Sequence, residues 1–315
     1  MRKPPFIHIP ATSSLLEVLM KHLFKAIGFA ALLGGGSIAA AQTFPNLMTR
    51  GPNVSVLNDQ NLGKTSYALP APNGDTTQIY VKLKGYVFGF RVIRSDVITQ
   101  FNKTEYAGYA DAKTSGLAAL LKKMEIWSVS KGRYDQRGLR PDWHVQQNTD
   151  KKNRRVEMNY DRPKSLVNVA IEPRLGSQGV PPATPRERYT SNDTISGILH
   201  LMMKGTKVNG ELCSGRTPFF DSKQHYNLRL ERIGTKRVRF DGGKDTTIHC
   251  RAYYEPVSGF DPEDLPSKEE ASTPVNVYFK YYEEAGIHIP VRFTYKISGF
   301  TAVVKADDIE IIAGR

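Results

Sequence analysis

Apolar side chains fall on every second position in five separate stretches of this chain. Ile79, Val81 and Leu83 alternate with Tyr80, Lys82 and Lys84, and Tyr226, Leu228 and Leu230 with Asn227, Arg229 and Glu231. The same rhythm runs through Ile248, Cys250, Ala252 and Tyr254, through Val275, Val277, Phe279 and Tyr281, and through Ile289, Val291, Phe293, Tyr295 and Ile297. A strand turns successive side chains to opposite faces, so each stretch describes one dry face and one wet face. Repeated this often, the pattern predicts a mainly β protein built on a curved antiparallel sheet. Val156–Tyr160 and Leu166–Ile171 read as further strands, and 173–185 as a proline-rich loop.

Two segments depart from the pattern with helical spacing. Leu117, Leu120, Leu121 and Met124 follow Thr114-Ser115-Gly116, and Ile195, Ile198, Leu199 and Met202 follow Ser191-Asn192-Asp193. In the second, Asp193 or Ser191 is placed to accept from the free amides of the first turn, and Gly205 is a natural stop. A curved sheet with one face wet on its concave side is uneconomical, so the short helices are expected inside the curve. With 40% hydrophobic and 24% charged residues the chain has a globular balance. Residues 76–312 read as a single β-rich domain, preceded by an irregular leader rich in Pro, Asn and Gly over 42–75.

The first 41 residues carry a different message. A basic stretch, Met20-Lys21-His22-Leu23-Phe24-Lys25, precedes a short apolar run over Ala26–Leu33, a glycine-rich break and Ala39-Ala40-Ala41. These are the parts of a secretory signal cleaved after Ala41, with Met20 as initiator and 1–19 as an upstream extension. The apolar run is too short for a bilayer anchor, and the expected address is the periplasm. Losing 1–41 leaves 40 basic against 30 acidic residues, a net charge of +10. That excess suits phospholipid headgroups, lipopolysaccharide or acidic glycan, and export removes nucleic acid from contention. Cys213 and Cys250 are the only two cysteines. In an oxidising compartment an even pair reads as a disulfide.

Several landmarks in order resemble an exported bacterial family catalogued as domain of unknown function 3108. A strand runs into a Gly-x-x-x-Gly turn at Gly85-Tyr86-Val87-Phe88-Gly89, and Gly138-Leu139-Arg140-Pro141 approximates a Gly-x-x-x-Pro element. A helix opens at Asp193-Thr194-Ile195-Ser196, and after Cys213 comes Phe220-Asp221-Ser222-Lys223-Gln224-His225-Tyr226-Asn227-Leu228. Cys250 then leads into Pro256-Val257-Ser258-Gly259-Phe260, and Ile289-Pro290-Val291-Arg292 stands near the end. Ser222-Lys223 replaces the family's Gly-Arg, which questions a tight-turn role at that point. The resemblance, over roughly residues 76–305, implies a periplasmic β-spiral or half-barrel with a cysteine pair, similar to lipoprotein-carrier and envelope-integrity folds. It implies no reaction.

Candidate functional residues divide into three sets. Tyr278, Phe279, Tyr281, Phe293 and Tyr295 either line a concave apolar site for an acyl chain or pack as core. The basic run Lys151, Lys152, Arg154 and Arg155 either meets an anionic surface or forms a solvated hairpin turn. His144, His200, His225, His249 and His288 show no metal-ligand spacing, so no metal or other cofactor is expected. Asp221, Ser222 and His225 are neighbours in sequence, but no nucleophile elbow or oxyanion element accompanies them, and no catalytic residue is assigned. Asp221 is better suited to fixing a turn through its backbone amides. Lys84–Phe90 superficially resembles an RNA-binding strand, with Val87 and Gly89 in reversed places; a β-hairpin with core aromatics fits it better. The sum is a non-enzymatic periplasmic envelope protein. It would bind an apolar or amphipathic ligand, lipid or lipoprotein, in its curved sheet, or serve instead as a scaffold for another envelope protein. Contact with the membrane would be peripheral at most.

Overall fold

The computed structural model describes residues 74–314, apart from 117, 120–122, 149–152 and 298–299. The secretory segment, nearly all of the leader, and much of the helix expected over Leu117–Met124 lie outside the described residues. Seven strands come first: β1 (Thr77–Val87), β2 (Phe90–Phe101), β3 (Glu105–Thr114), β4 (Glu125–Asp135), β5 (Gly138–Asn148), β6 (Arg155–Asp161) and β7 (Leu166–Glu172). Two helices follow, α1 (Pro185–Thr190) and α2 (Thr194–Met203). The chain then adds β8 (Arg216–Phe220), β9 (His225–Phe240) and β10 (Gly243–Ser258), a short helix α3 (Lys268–Ser272), and β11 (Val275–Tyr282), β12 (Ile287–Ile297) and β13 (Phe300–Ile312).

All thirteen strands join one sheet in the order β7-β6-β5-β4-β3-β2-β1-β13-β12-β11-β10-β9-β8. It consists of two antiparallel meanders joined where β1 pairs with β13, Gln78 opposite Ile312 through to Val87 opposite Ala302. The curved antiparallel sheet expected from the alternation is therefore observed. Its two edges, β7 and β8, are drawn together without pairing. Phe220 of β8 shares an apolar cluster with Val156, Met158 and Tyr160 of β6 and Val167 of β7, and Tyr189 of α1 packs against it. The β8 edge is further covered where Asn192 donates to the Pro218 carbonyl and accepts from the Phe220 amide, at 3.1 and 2.8 Å. Pro218 itself sits on that edge, where a missing amide breaks no interior ladder.

Helix α2 occupies the inside of the curve. Ile195, Gly197, Leu199, Leu201, Met202 and Met203 are all buried. A helix buried on nearly every side is enclosed, not laid on a surface. It touches β3, β4 and β5 from one meander and β8 and β12 from the other. Its packing joins the inward rows of both: Ile79, Val81 and Leu83 on β1, Leu228 and Leu230 on β9, Val277 and Phe279 on β11, Ile289, Val291 and Phe293 on β12. Two glycines make this close approach possible. A Cβ at Gly197 would lie 2.2 Å from the Phe219 ring, and one at Gly108 of β3 would lie 2.5 Å from Ile195.

Candidate functional site

Helix α2 is fastened at both ends. At its start Asp193 is completely buried and its Oδ1 accepts from the Ile195 and Ser196 amides, both at 3.0 Å. The cap expected from sequence is thus present, and it has further partners. Ser130 of β4 donates to Oδ1 at 2.5 Å, and the Ser196 hydroxyl donates to Oδ2 at 2.6 Å. His144 of β5 places Nδ1 2.7 Å from Ser130 Oγ and 3.2 Å from Asp193 Oδ1. Since Ser130 spends its proton on Asp193, its lone pair is left to accept from a His144 Nδ1–H. Tyr106 of β3 completes the set by donating to Ser196 Oγ at 2.7 Å. Burial works against ionisation of Asp193, but the His144 imidazole and the hydrogen bonds from His144, Ser130 and Ser196 outweigh it and hold the carboxyl below its ordinary range.

Serine, histidine and aspartate together invite comparison with a nucleophilic triad. A triad needs serine on one ring nitrogen and carboxylate on the other. Here both Ser130 and Asp193 meet Nδ1, and Ser130, His144 and Asp193 are all buried. The cluster anchors a helix to two strands. At the far end, Cys213 on the segment after α2 is disulfide-bonded to Cys250 of β10, with Cα atoms 5.8 Å apart. Lys204 adds a bond from Nζ to the Ser214 carbonyl at 2.5 Å.

The sequence-predicted aromatic set is divided among three environments. Phe279 and Phe293 belong to the core around α2. Tyr278 belongs to the same cluster and also stacks on His249 with ring centroids 4.7 Å apart, while His249 Nε2 meets Asn276 Oδ1 at 2.9 Å. Tyr295 is half-buried against the core and Tyr281 is 47% exposed beside His288. A register shift between Tyr278 and Phe279 breaks the two-residue rhythm that placed Tyr281 on the inner face. Of the basic run, Lys151 and Lys152 lie outside the described residues. Arg154 donates to the Pro173 carbonyl at 3.1 Å, and Arg155 is buried with its guanidinium 5.5 Å from the Trp127 ring. The hairpin at Phe88 and Phe90 exists, but its aromatics are not core, being 67% and 59% exposed.

Other motifs gather at one corner. Asp221 accepts from the Lys223 and Gln224 amides at 3.0 and 2.7 Å, as its turn-fixing role predicts. Ser222, where a glycine was expected, adopts φ +94°, so the chain keeps the glycine-like backbone with a side chain in place. Gly259 rests on this turn, and a Cβ there would lie 1.9 Å from the Lys223 carbonyl oxygen. Lys223 Nζ reaches Asp261 at 2.5 Å, and Gly259 and Phe260 bond to Pro181 and Val180 of the 173–185 loop at 2.7 and 2.8 Å. His225 turns toward Glu187 of α1, 3.6 Å away, and not toward Ser222. A shallow cleft of about 290 Å³ elsewhere is lined by Thr104, Tyr134, Asp135 and three arginines, Arg133, Arg140 and Arg162. Arg140 bonds Asp135, and Arg162 bonds Asp142 at 2.7 Å. No group of three metal-ligating side chains occurs among the described residues.

No curated protein matches the chain. Among solved structures it is similar to a beta-barrel-like protein of domain of unknown function DUF1849 from Brucella abortus. That match has 12% identity and a TM-score of 0.40, over 76% of this chain and 99% of the other. The model of a family described as a protein of unknown function, DUF3108, matches residues 77–302. That span holds every landmark from the Gly85 hairpin to Ile289-Pro290-Val291-Arg292, and the chain belongs to the DUF3108 family.

Proposed function

We propose that this protein is exported to the periplasm and acts there without catalysis, as a cell-envelope scaffold that meets its partners through its outer surface. The observation that carries this reading is the helix inside the sheet. α2 fills the space where a carried lipid would lie, and it is held at one end by the Asp193 cluster and at the other by the Cys213–Cys250 bond. An acyl chain seated on Phe279 and Phe293 would have to displace it. A disulfide accords with an oxidising compartment, and no helix among the described residues is long and apolar enough to cross a membrane.

The test is native mass spectrometry of the protein recovered from a periplasmic fraction, paired with cross-linking in living cells. The expected result is a processed chain beginning near Gln42, free of lipid, cross-linked to a discrete envelope protein. Stoichiometric lipid adducts would transfer the assignment to the carrier reading. Recovery of an unprocessed chain from the cytoplasm would overturn both.

A further inference from the structure

The β1–β2 hairpin ends in a two-residue loop, Phe88-Gly89, closed by the pair Val87 and Phe90. Both loop residues have positive φ, +52° and +81°. This is the backbone that Asn-Gly fills with least strain, and a bulky aromatic ring is unfavourable there. Phe88 nevertheless occupies it while 67% exposed, with Phe90 beside it at 59%. A Cβ built on Gly89 would meet nothing within 4 Å, so the turn is open at that position. Two large, mostly exposed rings at a turn position costly for an aromatic suit contact with an apolar layer.

Behind the tip the sheet carries cations in register. Arg292 pairs with Lys305, Lys305 with Lys84, Lys84 with Arg94 and Arg94 with Lys113, five basic residues side by side on β12, β13, β1, β2 and β3. Like charges directly opposite one another destabilise a sheet. Lys84 is offset by Asp307 at 2.6 Å, and Lys113 by Glu125 at 2.8 Å and Asp111 at 3.5 Å. Arg292 bonds the Arg239 carbonyl at 3.0 Å, and Lys305 lies 5.7 Å from the centre of the Tyr86 ring. The Nε of Arg94 is shielded without a hydrogen-bond partner. Nearer the tip, Arg91 and Lys296 are both exposed. The carboxylates at this end, Glu269 and Glu270, belong to α3 and face Tyr295.

We propose that the Phe88–Phe90 tip and the cations behind it form a docking surface for an anionic bilayer leaflet. With the rings at the acyl boundary, Arg91, opposite Tyr86, stands about 7 Å back, at the depth of the headgroups. The Lys84–Arg94–Lys305 row lies about 13 Å back, within reach of the surface potential. A soluble acidic glycan would use the row and leave the rings idle, whereas a bilayer engages both. The inference stands apart from the scaffold reading, since it needs neither a protein partner nor a filled interior.

Co-sedimentation of the signal-free protein, disulfide intact, tests it with vesicles of equimolar phosphatidylglycerol and phosphatidylcholine against phosphatidylcholine alone. Binding is expected to the anionic vesicles only, weakening as salt rises. The variant F88N/F90T should bind at least about tenfold more weakly with an unchanged or raised melting temperature, because Asn suits the turn. Arg91→Gln and Lys296→Gln should each lower affinity about five-fold. Absence of wild-type binding to anionic vesicles, or equal binding by F88N/F90T, would overturn the assignment. So would wild-type and F88N/F90T proteins binding heparin alike while neither sediments with vesicles.

Discussion

Asp193 shows how a single carboxylate can organise a fold. It serves as helix cap, acceptor for Ser130 and neighbour of His144 at once, fully buried from solvent. Asp193→Ala strips both amides of their cap and leaves the buried Ser130 and Ser196 hydroxyls without their acceptor. Loss of one member of such a buried set costs about 3–5 kcal/mol, to be read from urea unfolding midpoints. The carboxyl is held below its unfolded value, so its contribution is present above about pH 4 and lost as pH falls through the lower, folded value. Wild-type stability should therefore drop steeply in acid, and the drop should shrink in Asp193→Asn. The cap itself was readable from Ser191-Asn192-Asp193. Ser130 and His144 stand 63 and 49 residues upstream, and nothing in the local pattern around them points to Asp193.

At the scale of elements, the strands that the alternation picked out are those with one wet face, β1 and β9 to β12. β2 to β5 escaped it for a physical reason. Ile98, Tyr109, Trp127, Val129, Trp143 and Val145 form a second apolar cluster on the side away from α2. Strands buried on both faces have no polar phase for a two-residue period to follow. α2 was visible through its four-residue spacing, but the two slots that admit it were not. Gly197→Ala ought to favour the helix by about 1 kcal/mol; pressed into Phe219, it should instead lower stability by about 1–3 kcal/mol. Gly108→Ala, which meets Ile195, should behave alike. Thermal unfolding of both variants checks this, and a stabilised Gly197→Ala would show that α2 sits more loosely than described.

For the whole molecule, the disulfide joins the exit of α2 to β10 across a sequence separation of 37. Reduction, or Cys213→Ser, is expected to remove roughly 3–4 kcal/mol by the loop-closure estimate, and free-thiol titration of the native protein should find no reactive sulfhydryl. The pair was legible from the cysteine count and the expectation of export. How the aromatic residues divide was not, because it depends on one shifted register in β11 and β12. The basic excess directed attention to the run Lys151, Lys152, Arg154 and Arg155; the row Arg292, Lys305, Lys84, Arg94 and Lys113 emerges only from strand register.

The seam between β1 and β13 has a consequence for how the molecule comes into being. Lys82 and Asp308, 226 positions apart, hold hands across the middle of the sheet at 2.9 Å. A ribosome or a translocation pore delivers the amino end first. The opening strand must then wait with one flank bare until the closing strand emerges, and the two half-sheets cannot lock into one body before that moment. The first seven strands can pair among themselves as they appear, but the thirteen-strand sheet is complete only when the last strand arrives.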